Sequence, residues 1–255
     1  HLRGHLLKVG RLEYLPGTYG HPFRWYRSVS TGKLLCLAEG GCLLRGDGQF
    51  ASADDGAVRT GLWKTSFAET DSSVTGHPVA AAGYVRAEPQ TWDLREWQEV
   101  LRRDDPVLTV HIPAKGRMGP EECAASLQQA TSLFRGRYPE VAWRAFTCHS
   151  WLLDPQLDQL RPVPPNIAAF MRMWHLHPVE GADDRQAWQR VFSLFGDWNQ
   201  RDWANAPRDT SLRRAILDFV AQGQRLRSGG AVIFAEDLQA GCEPYRRGGR
   251  AAFPD

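Results

Sequence analysis

No run in the 255 residues approaches the ~18 consecutive apolar residues of a membrane-spanning helix, so none is expected to cross a bilayer. The five cysteines include no Cys-x-x-Cys pair. Scattered thiols in odd number argue against a disulfide scaffold and for a reduced, cytoplasmic protein. Neither charge sign is in excess: 31 Lys and Arg against 29 Asp and Glu leave a net +2. Without a basic surplus, a general nucleic-acid binder is not expected. The chain begins at His1 with no charged-then-apolar leader, so no signal peptide is expected and the chain reads as a fragment with an upstream part missing. There is no internal repeat and no clear linker. What remains is ordinary globular composition, 42% hydrophobic and 24% charged. It excludes collagen, coiled coil and wholesale disorder, and suffices for a core in one or two domains.

The first half reads as strands and hairpins. Residues 11–15 form a short strand closed by Pro16-Gly17. The apolar runs 34–37 and 42–44, separated by Glu39-Gly40-Gly41, give a hairpin signal. Residues 45–61, rich in Gly, Asp, Ser and Ala, read as an exposed loop. Strands are expected over 63–69 and 79–85. Residues 91–102 have helical spacing through Trp92, Leu94, Trp97, Val100 and Leu101.

The second half alternates. An apolar strand at 107–112 is followed by a loop at 113–119 and a helix opened by Pro120, with Leu127, Ala130, Phe134 and Tyr138 on its buried stripe. Further strands are expected over 141–153, 167–177 and 231–235. A short helix should start at Asp154-Pro155, another should lie around 186–194, and one should be capped by Asp209-Thr210-Ser211. The expected fold is α/β or α+β, a mixed, mostly antiparallel central sheet with helices on both faces. Residues 1–30 are expected to be an extension or remnant of an N-terminal domain and 31–255 the main domain.

Four phrases, at 69–78 (ETDSSVTGHP), 110–113 (VHIP), 148–157 (CHSWLLDPQL) and 209–218 (DTSLRRAILD), resemble the GNAT-like C-terminal domain of an actinobacterial two-domain acyltransferase family. That family includes N-acyltransferases of teicoplanin-type glycopeptide antibiotics. The resemblance spans roughly residues 10–245 and implies a GNAT fold and an acyl-CoA donor, with no metal. It also implies the coenzyme's diphosphate on backbone N–H groups between a strand and the helix after it. Here Ile112, Lys115, Gly116, Arg117, Met118 and Gly119 occupy that place. The first N–H groups of a helix lack partners and favour anions. Glu121 and Glu122 would repel a phosphate there, and a plain strand–helix connection is the alternative.

Amide formation from a thioester needs a base for the amine, support for an oxyanion, and departure of a thiolate. Imidazoles titrate near neutrality, which suits the base. His111 shares a strand face with Thr109, opposite Val110 and Ile112; it is the candidate base, or else a core histidine. In Cys148-His149-Ser150, neighbouring side chains point apart, which disfavours a Cys–His dyad. His149 or Ser150 is a candidate assisting acid or water holder; otherwise the segment is simply the next core strand. His175 and His177 share a face, but two ligands do not make a metal site. Trp151, Arg172 and Trp174 are candidates for an acceptor groove. Trp188, Trp198 and Trp203 form either an aromatic contact surface or a satellite core. No Gly-x-Ser-x-Gly elbow supports a hydrolase built on Ser150. The expected activity is acyl-CoA-dependent acylation of a small-molecule primary amine, such as an amino sugar, by direct transfer. The alternative is a non-catalytic module binding acyl-CoA or a sugar. Oligomeric state is not readable from the sequence.

Overall fold

The computed structural model describes residues 6–52, 61–114, 116, 118–160, 165–181, 183–193 and 202–238. The first part of the chain supplies strands: β1 (Leu7–Val9), β2 (Leu12–Thr18), β3 (Phe23–Ser28), β4 (Leu34–Ala38), β5 (Leu43–Leu44), β6 (Trp63–Lys64), β7 (Phe67–Glu69), β8 (Ser73–Ala80), β9 (Tyr84–Val85), β10 (Gln90–Asp93) and β11 (Trp97–Leu101). The rest adds β12 (Pro106–His111), α1 (Pro120–Arg137), β13 (Phe146–Ser150), α2 (Pro165–Arg172), β14 (His175–His177), α3 (Arg185–Val191), α4 (Ser211–Ala221) and β15 (Gly229–Ile233).

Two main sheets result. A six-stranded sheet runs β1-β2-β12-β13-β15-β14, and a seven-stranded sheet runs β10-β8-β4-β3-β11 with β7 and β9 also on β8. The mixed α/β class with mostly antiparallel pairing is as the sequence implies. Among the strand pairs described, β12 and β13 alone run parallel, because α1 carries the chain back between them.

The α1 stripe explains the first core. Cys123, Leu127, Ala130 and Phe134 are fully buried against Leu108, Val110, Phe146 and Cys148. A fully buried Leu or Phe contributes about 1.5–3 kcal/mol. The apolar residues of α2, α3 and α4 join this same cluster. The opposite face of the six-stranded sheet is covered by the second sheet instead of helices. There Val107, Ala145, Val232 and Phe234 meet Tyr19, Phe23 and Trp25.

Several local expectations are corrected. Residues 7–28, expected as an extension, are integral: β2 pairs with β12 from Thr18↔Pro106 to Glu13↔His111, and β3 lies between β4 and β11. The 34–44 hairpin does not form, since β4 pairs with β3 and β8 while β5 pairs with β6. The loop expected at 45–61 is partly core, with Arg45, Gln49 and Phe50 buried; 53–60 lie outside the described residues. The helix expected at 91–102 is two strands, because β8 and β3 offer partners that outweigh the local spacing. The strand expected at 167–177 is mostly α2. Its buried positions Ile167, Phe170, Met171 and Trp174 follow a helical period, and only His175–His177 remains extended.

Candidate functional site

The parallel ladder of β12 and β13 registers Leu108↔Phe146, Thr109↔Thr147 and Val110↔Cys148, and there it stops. Each strand continues only against its other neighbour, β12 as His111↔Glu13 and β13 as His149↔Gly230 and Ser150↔Gly229. The carboxyl ends of the two strands therefore part. An opening at the carboxyl ends of parallel strands, beside the start of the connecting helix, is where α/β proteins place ligands. His111 and His149 are exposed, one on each strand at this opening. Both lie on the face away from α1, since Val110 and Cys148 between them face it.

The loop at the mouth is held from below. Arg11, at the turn between β1 and β2, donates through Nη2 to the carbonyls of Pro113 at 3.0 Å and Gly116 at 3.4 Å. Gly116 has φ +103°, a conformation that favours glycine. Ser126 of α1 accepts from the Leu12 N–H at 3.1 Å, lies 2.8 Å from the Tyr14 hydroxyl and donates to Val9, so the β1–β2 hairpin and α1 are fastened together. Gly119 is the N-cap of α1, Pro120 follows it, and no side chain caps the helix. The Glu122 carboxylate folds against Gly119, in the space a side chain there would take. Met118 is buried in the core. Lys115 and Arg117 lie outside the described residues.

Other candidate residues lie elsewhere. Ser150 is buried, and its Oγ accepts the Leu152 N–H at 3.2 Å, capping a short 3-10 turn (Trp151–Leu153). Trp151 turns into the α1-side core with Leu152, so it does not share the exposed side of His149. Trp174 is fully buried and packs on Phe170 at 5.8 Å. Arg172 is on α2, with Nη2 4.0 Å from Asp158. The structure therefore gathers His111, His149, Ile112, Gly116 and Gly119 at the opening, apart from Met118, Trp174 and Arg172. Trp203 packs edge-on against Trp188 at 4.5 Å and Phe192 at 5.3 Å, Trp188 is tilted on Phe192 at 5.8 Å, and the three belong to the main core instead of a satellite; Trp198 lies outside the described residues.

A set of rings closes the other side, of which the sequence singled out His175 and His177 but not His21. His21, in the turn between β2 and β3, sits 4.5 Å from His177 and 6.4 Å from His149 by ring centroids. Tyr19, Phe23 and Trp25 surround His177. Burial holds His21 and His175 down to about 4, from an ordinary 6.5, and lowers His177 well below it; His149, though exposed on the side of the opening, is lowered too by the partial desolvation of its ring. These imidazoles are neutral at pH 7. A His followed by Pro, three times on the chain at His21, His77 and His177, was the available signal, but only the pairing of the two sheets brings His21 and His177 together. The thiols point the other way: Cys36, Cys42, Cys123 and Cys148 are buried, and burial pushes Cys148 up to about 12. A thiolate there is suppressed. No group of three His, Cys, Asp or Glu among the described residues could hold a metal ion.

The family model of the GNAT-like C-terminal domain matches residues 6–233. The chain belongs to that family. Solved structures similar to this GNAT-like domain include an acyltransferase in complex with decanoyl-CoA, 25% identical with a TM-score of 0.45. Others are an acyltransferase with CoA and 10C-teicoplanin, at 19% and 0.46, and one with decanoyl-CoA and teicoplanin, at 20% and 0.46. Each match covers 66% of this chain and 46% of the other, so the domain spans under half the length of those proteins. No curated protein matches the chain. No helix among the described residues is long and apolar enough to cross a membrane.

Proposed function

We propose that the chain transfers an acyl group from acyl-CoA to a primary amine, without an acyl-enzyme. The observation that carries this reading is the parted end of β12 and β13, with one exposed imidazole on each strand and an uncapped helix start beside it. The diphosphate of the donor would lie along Ile112 to Gly119, and the thioester would enter between the strands. Leu108 donates its N–H to Ala145 across the parallel pair at 3.0 Å. Strand alternation turns the N–H two and four residues on the same way, so the amide of Ile112 is aimed into the opening, where an oxyanion would form.

A neutral primary amine has two N–H bonds and one lone pair. His111 and His149 accept one N–H each, which leaves the nitrogen lone pair free for the carbonyl carbon. As the C–N bond forms, the amine proton passes to His111. As the C–S bond breaks, that proton leaves with the CoA sulfur as thiol. Ser150 serves this arrangement by capping the turn after His149. An amino sugar of a glycopeptide or another natural product fits an acceptor of this kind, since its amine is readily present in neutral form.

The test is CoA release by the full chain, followed with a thiol reagent across acyl-CoA lengths and candidate amines, with mass spectrometry of product and protein. Release that depends on amine, with no acylated protein, is expected. Stabilisation by CoA without turnover would instead identify a binding module, and acylated protein formed from acyl-CoA alone would identify Cys chemistry.

A further inference from the structure

One row of the six-stranded sheet reads His149, Gly230, His177. Strand β15 pairs Gly230 with His149 on one side and with His177 on the other. Residues paired directly across strands share a face, so both imidazoles rise toward the second sheet with only a glycine between them. A Cβ on Gly230 would run into the His177 ring, so the row needs glycine at this position. His21 leans over the gap from the turn that joins the two sheets, 4.5 Å from His177 and 6.4 Å from His149.

The proton positions along this row follow from one end. His177 is fully buried, and its Nδ1 lies 2.9 Å from the Pro178 carbonyl oxygen. A carbonyl only accepts, so Nδ1 carries the hydrogen and Nε2 of the neutral ring is a bare lone pair. That Nε2 is buried without a hydrogen-bond partner. A buried acceptor of this kind seeks a donor. The Trp25 N–H is already given to the Tyr19 hydroxyl at 3.0 Å. His21 is the nearest ring that carries an N–H.

We propose that His21 and His177 are positioning residues that fix the tautomer of His149. His21 turns its N–H to His177 Nε2. Its other nitrogen then accepts the N–H of His149, directly or through one bridging water. His149 is left with its lone pair toward the opening, where it receives an N–H of the amine. The Pro178 carbonyl is the fixed end, and burial of His177 keeps it fixed. The inference rests on the amine-acylation reading for its purpose but not for its geometry.

Imidazole ¹⁵N shifts of the full chain near neutral pH report each ring's tautomer. His149 is expected in one neutral tautomer in the native chain and in a mixture of both in His177→Phe and His21→Phe. The amine KM should rise and kcat fall by about ten-fold in these variants, with the KM for acyl-CoA within two-fold. A mixed His149 tautomer in the native chain, or a single unchanged tautomer in the variants, overturns the proposal. His21 is only half-buried, so His21→Phe keeps the test decisive where His177→Phe fails to fold. If the tautomer results hold and no amine supports CoA release, the positioning row stands and the acylation reading falls.

Discussion

On the face of β12 and β13 that lies under α1, Leu108, Val110, Phe146 and Cys148 are at most 2% exposed. On the opposite face of the same two strands, Thr109, His111, Thr147 and His149 stand in the alternate positions. The first set meets only α1 and its neighbours. The second widens toward solvent where the ladder ends. Because side chains alternate with period two, one backbone serves a core on one side and a polar opening on the other. The residues that hold the fold are therefore separate from those that would do chemistry, and the two sets can be broken one at a time.

The largest effect is expected on the α1 side. Phe134 is fully buried in that cluster, and Phe134→Ala should lower unfolding free energy by about 3–5 kcal/mol, read by chemical denaturation. Turnover per folded molecule should stay close to native. A proportionate loss of turnover at full folding would erase the contrast between the two faces. The reverse case is His111→Ala. Its side chain is exposed, so stability should change by under about 0.5 kcal/mol, while amine-dependent CoA release falls by about 100-fold. An unchanged rate with an unchanged acidic limb of the pH–rate curve would remove His111 from the reaction.

Much of the α1 face was legible in the sequence. Pro120 marks the helix start, and Leu127, Ala130 and Phe134 recur at helical spacing. The polar face was half legible. His111 and His149 declare themselves on strands, but His21 lies roughly 130 residues upstream of His149, and nothing local ties it there. Gly230 falls just before the strand expected at 231–235, and nothing local shows its pairing with both His149 and His177. The misassigned segments fail for the same reason. Trp97 and Leu101 fit a helix and a strand equally well, and the partner strand β3 decides. Conversely, the long apolar stretch at 167–177 hides a helical period that ends where β15 offers pairing to His175 and His177.

Acid provides a finer probe of the polar side. His21 and His175 titrate in the fold at about 4, against an ordinary 6.5, and His177 and His149 are lowered too. Between pH 6.5 and 4 the unfolded chain takes up protons that the folded chain refuses. The stability these rings contribute is therefore present above 6.5 and lost as pH falls toward 4. Asp154 opposes this: burial raises its carboxyl to about 7, so the folded chain keeps a proton that the unfolded chain releases above its ordinary 3.8. Four imidazoles outweigh one carboxyl, and unfolding near pH 5 should take up roughly two protons. Calorimetry at several pH values measures that number. A melting temperature that is flat or rises on acidification from 6.5 to 5 would mean that the rings are solvated and that the polar face is open throughout.

The smallest expected effect lies where the two faces meet, at the start of α1. Glu122 sits against Gly119 at the uncapped helix terminus, where its negative charge complements the helix dipole. The same charge opposes any phosphate brought to that terminus. Glu122→Gln should therefore weaken the fold slightly, by about 0.3–1 kcal/mol, while CoA binds up to about five-fold more tightly. Isothermal titration with CoA and thermal melting of the same variant separate the two terms. Opposite signs would mean that the helix start faces both its own carboxylate and the ligand's diphosphate. Weaker CoA binding by Glu122→Gln would mean that the diphosphate lies elsewhere and that α1 serves the core alone.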